Sequence, residues 1–179
     1  MTRKLILTFL AVMTIFLTGM VDEAKAATSQ EIKDMIVKTA VQMGVDPCLA
    51  LSIAKQESNF QNNRTSKYGA VGVFQLMPST AKRMGLNPYN LNDNIKGGIM
   101  YYQMMYKKFG STDLALAAYN AGPGNVAKYK GIPPFKETQS FVNRIKSNTE
   151  LYKNDPSVLK HTQKFSDDDN AIVVPEDTI

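Results

Sequence analysis

The sequence predicts a mainly α fold, a compact helical domain over roughly residues 28 to 155, and three observations support this. Apolar residues recur at helical spacing in several segments. Cap and stop residues bracket those segments. No stretch sustains the two-residue alternation of a half-buried strand, and no internal repeat is present. With 179 residues, 44% hydrophobic and 21% charged, the chain has the size and composition of one soluble domain with short appendages. Global disorder and a polytopic membrane protein are both disfavoured.

Taken in order, Arg3 and Lys4 precede an apolar run over residues 5–17, and Ala24-Lys25-Ala26 offers small residues at a cleavage position. Residues 1–26 are therefore expected to be a secretory signal. The chain from Ala27 is expected to be exported to the periplasm or cell wall, with no stable membrane span after cleavage. An uncleaved anchor is the alternative, because residues 5–21 carry no charge. Thr28-Ser29-Gln30-Glu31 has the form of a capping box, followed by Ile32, Met35, Ile36, Ala40 and Met43 on one helical face and by Gly44 as a stop. Asp46 as N-cap and Pro47 at the first helical position open a second helix through Leu49, Ala50, Ile53 and Ala54 to about Glu57.

Residues 60–77 are rich in Asn, Ser and Gly with short apolar spurts, which reads as a long loop or a small hairpin after the second helix. A short helix follows Pro78 and stops at Gly85. The strongest runs from about Asn92 to Phe109, with Ile95, Ile99, Tyr102, Tyr106 and Phe109 as its buried stripe and Gly110 as its end. Asp113 is expected to cap an Ala-rich helix that breaks at Gly122-Pro123-Gly124, and a further turn covers residues 125–129. The last clear helix begins near Lys136 and carries Phe141 and Ile145. Residues 156–179 are expected to form an acidic, mobile tail.

Charge is unevenly spread. Residues 27–165 carry 18 Lys and Arg against 9 Asp and Glu, whereas residues 166–179 carry Asp167, Asp168, Asp169, Glu176 and Asp177 and no base. A basic body suits an anionic polymer, whether cell wall, nucleic acid or acidic lipid. Cys48 is the only cysteine, so no intramolecular disulfide can form. With His161 the only histidine and far along the chain, Cys48 reads as a buried apolar residue rather than a nucleophile.

Glu57 follows Ala50, Ile53 and Ala54 at seven, four and three residues, which sets it on the face of the second helix that should meet the core. Burial and the helix C-terminus would both raise its pKa, as a general acid near neutral pH requires. Spacing alone equally allows a solvated Glu on a frayed last turn. Ser66, Tyr68, Gly69, Gly72 and Gln75 combine flexible backbone with donors and acceptors, as in a ligand-binding loop or an ordinary surface loop. Tyr119 and Asn120 stand before the Gly-Pro-Gly break and could be no more than a helix stop.

Four longer blocks lift this ambiguity. They are Ala50-Leu51-Ser52-Ile53-Ala54-Lys55-Gln56-Glu57-Ser58-Asn59-Phe60, then Gly69-Ala70-Val71-Gly72-Val73-Phe74-Gln75-Leu76-Met77-Pro78, then Ala117-Ala118-Tyr119-Asn120-Ala121-Gly122-Pro123-Gly124, and finally Glu137-Thr138-Gln139-Ser140-Phe141-Val142. Their order and content resemble the lytic transglycosylases of the soluble type, relatives of goose-type lysozyme. The resemblance implies a lysozyme-like fold and Glu57 as catalytic acid and base. It implies that Tyr119 steadies the Glu57 carboxyl through its hydroxyl, that Ser58 and Ser66 shape the sugar site, and that Gln75 and Met77 line the groove. Asn120 would hydrogen-bond substrate and Glu137 would lie nearer the groove edge. Phe74 stands where the family usually has Met, losing a thioether against the sugar face, and Phe141 where it usually has Tyr.

Between Glu57 and Val142 the other carboxylates are Asp93, Asp113 and Glu137, all at expected helix starts. One well-placed acid suits substrate assistance by the acetamido group of N-acetylmuramic acid. The resemblance then implies cleavage of peptidoglycan glycan strands with closure of a 1,6-anhydro ring; the protein is expected to act as a monomer with no cofactor and no metal. The rival readings are a hydrolysing muramidase and a wall-binding subunit of an envelope-spanning secretion or conjugation machine. Nucleic acid is not expected as a partner, since the basic body lacks a recognisable motif and export argues against it.

Overall fold

A computed structural model describes residues 26–169, so all but the last residue of the expected signal, 1–26, and the last ten residues, 170–179, lie outside it. Among the described residues the fold is mainly α, with helices α1 (Ser29–Gln42), α2 (Pro47–Ser58), α3 (Pro78–Arg83), α4 (Leu91–Phe109), α5 (Thr112–Ala121), α6 (Pro123–Tyr129), α7 (Lys136–Lys153) and α8 (Pro156–Asp169). No described helix is long and apolar enough to cross a membrane.

Local signals set most helix ends. Thr28 and Glu31 form the expected capping box, each accepting from the other's backbone N–H. Asp46 accepts from the Cys48 N–H at 2.8 Å, and Pro47 occupies the first turn. Gly110 ends α4 in the left-handed conformation. Asn90 caps α4, accepting from the Asp93 N–H. Asp113 does not cap α5; Ser111 holds that position, and Asp113 instead pairs with Lys146 of α7 at 2.8 Å.

The centre of the domain is α2, whose residues Cys48, Leu49, Ala50, Leu51, Ser52, Ile53 and Ala54 are all buried. A helix buried all round has to be covered by others. It is covered by α1 and α7, while α4 and α5 pair beside it and α5 also meets α7. Ile36, Ile53, Ile95, Ile99, Leu116 and Ile145 join one core. On α4 the buried stripe departs from the expected one at its C-terminal end: Met105 turns inward while Tyr106 is 47% exposed, and Phe109 is only partly buried. A 3.6-residue period admits either position after Tyr102, and packing against α5 decides.

Helix α8 stands where the sequence reading sets the start of a mobile tail. Asp155 accepts from the Ser157 N–H at 2.9 Å with Pro156 next in the first turn, the same start as Asp46-Pro47. It packs on α1 and α7, with Val158 against the core.

Between α2 and α3 the chain forms a compact loop rather than a hairpin. Val71 makes isolated antiparallel bridges to Thr65 and Leu76, and no strand forms. Val71, Val73, Phe74 and Leu76 are buried beneath it. The loop is keyed by Asn94, itself fully buried on α4. Its side-chain oxygen accepts from the Phe74 N–H at 2.9 Å, and its amide donates to the carbonyls of Val71 at 2.8 Å and Pro88 at 2.9 Å. Loop and helix meet closely enough to require glycine twice. A Cβ on Gly72 would lie 2.4 Å from the Asn94 amide, and one on Gly98 would lie 2.2 Å from the Phe74 ring.

Candidate active site

Glu57 is the penultimate residue of α2, and the chain turns sharply behind it. Asn59 and Phe60 both have positive φ, 53° and 63°, unusual for residues with side chains. Gln75, across the loop, adopts φ 46°. Such conformations persist only where surrounding structure imposes them, and they cluster at functional sites. Here burial of Phe60 and the Ser58 hydroxyl impose the turn. That hydroxyl is fully buried, donates to the Val73 carbonyl at 2.8 Å and accepts from the Gln61 N–H at 3.1 Å. Ser58 therefore latches the loop to the end of α2 and is not itself among the groove-lining residues, so any part in shaping the site runs through the loop it holds.

The turn leaves Glu57 in a groove of about 750 Å³, lined from the loop by Arg64, Ser66, Lys67, Tyr68 and Gln75 and from α5 and α7 by Asn120, Glu137, Ser140, Phe141 and Arg144. Burial dominates its electrostatics and pushes the Glu57 carboxyl from its ordinary 4.5 up to about 8, against the lowering charge of Arg64 and with that of Glu137 adding to the rise. Glu57 is thus protonated at neutral pH.

Its neighbours are held with particular atoms free. The Ser66 oxygen accepts from the N–H groups of Tyr68 and Ala70, which leaves its proton to donate. The Gln75 amide nitrogen donates to the carbonyls of Gly72 at 2.8 Å and Arg64 at 3.1 Å, so its oxygen is the free end. The Asn120 oxygen accepts from Thr138 at 2.8 Å, leaving its amide protons for a ligand. Tyr119 lies behind Glu57, its ring stacked on Phe141 at 6.4 Å. Its hydroxyl donates to the Phe74 carbonyl at 2.8 Å rather than to Glu57. Toward the carboxyl it can only accept, an arrangement that suits the protonated acid.

Two further residues stand apart from the groove lining. Met77 is exposed at the start of α3 and is not among the residues that surround Glu57. Phe74 is fully buried against Gly98, so its replacement of Met concerns the core and not a sugar face. Asn94, Thr138, Arg64, Lys136 and Arg144 went unnoticed as site residues. Only Asn94 left a trace, as a polar residue one position before the buried Ile95 and four before Gly98.

A larger concavity, about 910 Å³, opens elsewhere among Leu49, Tyr102, Tyr106 and Lys153. Its carboxylates Asp46, Asp113 and Glu150 all sit in ion pairs with Lys153 or Lys146. The groove at Glu57 is instead lined by a carboxyl that burial raises toward neutral pH.

A helical core whose central helix ends in one such acid, set in a groove beneath a capping loop, defines a lysozyme-like domain. The family model described as Transglycosylase SLT domain matches residues 34–142, and the chain belongs to this family. It is 32% identical over 119 residues to a transglycosylase of Enterobacteria phage PRD1, covering 66% of this chain and 43% of that one. It is 33% identical over 129 residues to the soluble lytic murein transglycosylase of Escherichia coli K12, covering 58% of this chain and 20% of that one. Among solved structures, an inactive mutant of the lytic transglycosylase Slt from Pseudomonas aeruginosa superposes with a TM-score of 0.63 at 28% identity, over 69% of this chain and 24% of that one. The chain thus spans less than half the length of these relatives.

Proposed function

We propose that this domain cleaves the β-1,4 bond between N-acetylmuramic acid and N-acetylglucosamine in peptidoglycan, leaving 1,6-anhydromuramic acid ends. The observation that carries the reading is a Glu57 carboxyl raised to about 8 on the floor of a groove. Protonated Glu57 gives its proton to the glycosidic oxygen as the C1–O bond breaks. The acetamido oxygen of the muramyl residue bonds to C1, so the protein supplies no nucleophile. The Glu57 carboxylate then takes the C6 hydroxyl proton, the C6 oxygen bonds to C1, and the acetamido bond reopens. Proton and electron pairs balance without water, and Glu57 ends protonated. The charge of Arg64 offsets the carboxylate between the two steps.

The decisive measurement is product analysis in oxygen-18 water. Digests of purified peptidoglycan are expected to end in 1,6-anhydromuramic acid with no label; labelled reducing ends would establish hydrolysis. Hydrolysis is the second reading because Glu137 lines the same groove and its charge acts on Glu57. If Glu137 were the base for a water, Glu137→Gln would abolish cutting as Glu57→Gln does. On the proposed route Glu137→Gln keeps most of it.

Arg64 gives a separate check on the acid. Activity depends on protonated Glu57 and falls as pH rises through its pKa. Because Arg64 lowers that pKa, Arg64→Gln is expected to carry the alkaline limb of the kcat/KM profile to higher pH, while Arg64→Lys leaves it near the wild-type position. An unmoved limb in Arg64→Gln would separate Arg64 from the titration.

Export fits this substrate, since peptidoglycan lies outside the cytoplasm, and the Ala24-Lys25-Ala26 pattern supports it. Action as a cofactor-free monomer, alone or in an envelope-spanning secretion or conjugation complex, is compatible with a groove completed by this chain's own residues.

A further inference from the structure

The groove is more cationic than its chemistry needs. Arg64 and Lys67 line it from the loop, and Lys136 and Arg144 line it from α7. On α7 the residues Lys136, Ser140 and Arg144 recur every four positions, a spacing that sets them on one helical face. With Glu57 protonated at neutral pH, Glu137 is the only anion in the lining to set against four cations.

The ion pairs that the protein forms lie outside the groove. Among the described residues the ion pairs are Lys146 with Asp113, and Lys153 with Asp46 and Glu150. None involves a groove cation. Lys67 lies 4.9 Å from the Tyr68 ring centroid, which leaves its charge intact. Like charges gathered in a concavity repel one another and focus a field that draws anions. Their natural counterpart is an anion brought by the ligand.

Resting on the reading of this groove as a peptidoglycan site, we infer that it selects glycan whose muramyl residues bear free carboxylates, through Lys136 and Arg144 on α7 and Arg64 and Lys67 on the loop. Muramic acid is the carboxylate-bearing sugar of the strand. When the stem peptide is absent, its lactyl group ends in a carboxylate. When the stem is present, that group is amide-linked and the stem contributes its own carboxylates. Amidation removes the charge with almost no change of size, so substrates of the two kinds differ chiefly in the property these residues read. The preference belongs to substrate binding and should appear in KM more than in kcat.

The test uses Glu57→Gln protein, which holds strands without cutting them, and four purified glycan preparations. Two are peptide-free, with lactyl carboxylates free or amidated. Two bear stems, with stem carboxylates free or amidated. In at least one pair amidation is expected to weaken binding by roughly tenfold or more, and the pair affected identifies the source of the carboxylate. The advantage should shrink as salt rises, since exposed charges are screened. Adding Lys136→Gln and Arg144→Gln is expected to remove most of it; both positions are exposed, so the melting temperature should hold. Equal binding of free and amidated strands in both pairs, or a preference unchanged by the double substitution, overturns the inference. Cutting by the wild type is scored separately by anhydro ends. Selective binding without cutting supports this inference and overturns the catalytic reading, while cutting with binding blind to amidation does the reverse.

Discussion

Glu57→Gln is expected to lower turnover by about 10²- to 10⁴-fold or more, the range ascribed to general acid–base catalysis, while leaving the domain folded. The amide keeps the shape and hydrogen-bonding capacity of the side chain but has no carboxyl proton to give. Stability should change in the opposite direction, and it should do so with pH. Burial raises the folded-state pKa from 4.5 to about 8, so the stability tied to the protonated carboxyl is fully present below 4.5 and is lost as pH rises through about 8. Wild type should therefore lose ground against Glu57→Gln between those limits, and the variant should be the more stable protein at alkaline pH. Thermal melts of both proteins from pH 4 to 9 measure this. A constant difference across the range would mean that the carboxyl titrates as in the unfolded chain.

That the sequence could place Glu57 on a core-facing helical stripe, though only the family resemblance gave it a role, while its surroundings stayed hidden, has a physical explanation. Its position follows from one helix: the cap at Asp46, the proline at Pro47, the apolar spacing of Ala50, Ile53 and Ala54. Those features act within a few residues of one another. The same holds for the Thr28 capping box and the Gly110 stop. Where a residue's partner is distant in the chain, the sequence is silent. Asp113 reads as a cap, yet its charge goes to Lys146, and Tyr119 reads locally as part of a helix stop, yet its hydroxyl proton goes to the Phe74 carbonyl. Ser58 shows the same limit from the other side. The residue next to the acid looks like part of the sugar site, but its hydroxyl reaches inward to Val73.

The cations of the groove are the extreme case. Arg64 and Lys67 lie in the loop, and Lys136 and Arg144 lie on α7, some seventy to eighty residues later. As a count they appear only in the basic charge of residues 27–165, which suits several anionic polymers equally. Folding gathers them around Glu57, and only then does the charge point to a particular ligand. The missed helix α8 is a different kind of failure, because Asp155-Pro156 repeats the start already recognised at Asp46-Pro47. The acidic composition that follows masked a local signal that was present.

Asn94→Ala is expected to be the most damaging single substitution for the fold. It leaves the Phe74 N–H and the carbonyls of Val71 and Pro88 without their partner inside the core. An unsatisfied buried group costs about 1–3 kcal/mol, and partial relaxation of the loop recovers some of this, so a loss of about 3 kcal/mol or more is expected. For a domain of this size that corresponds to a fall of roughly 10 °C in melting temperature. Activity should fall as well, because the loop that Asn94 fastens also presents Arg64, Ser66 and Gln75 to the groove. Asn94→Asp separates the contributions. It retains an oxygen that can accept from the Phe74 N–H but places a carboxylate against two carbonyl oxygens, so it should be no more stable than Asn94→Ala despite its closer shape. Melting curves and anhydro-product rates for the two variants decide the matter. If both melt within a degree or two of wild type, the loop is held by the burial of Val71, Val73 and Leu76 alone, and Asn94 has no share in positioning the site.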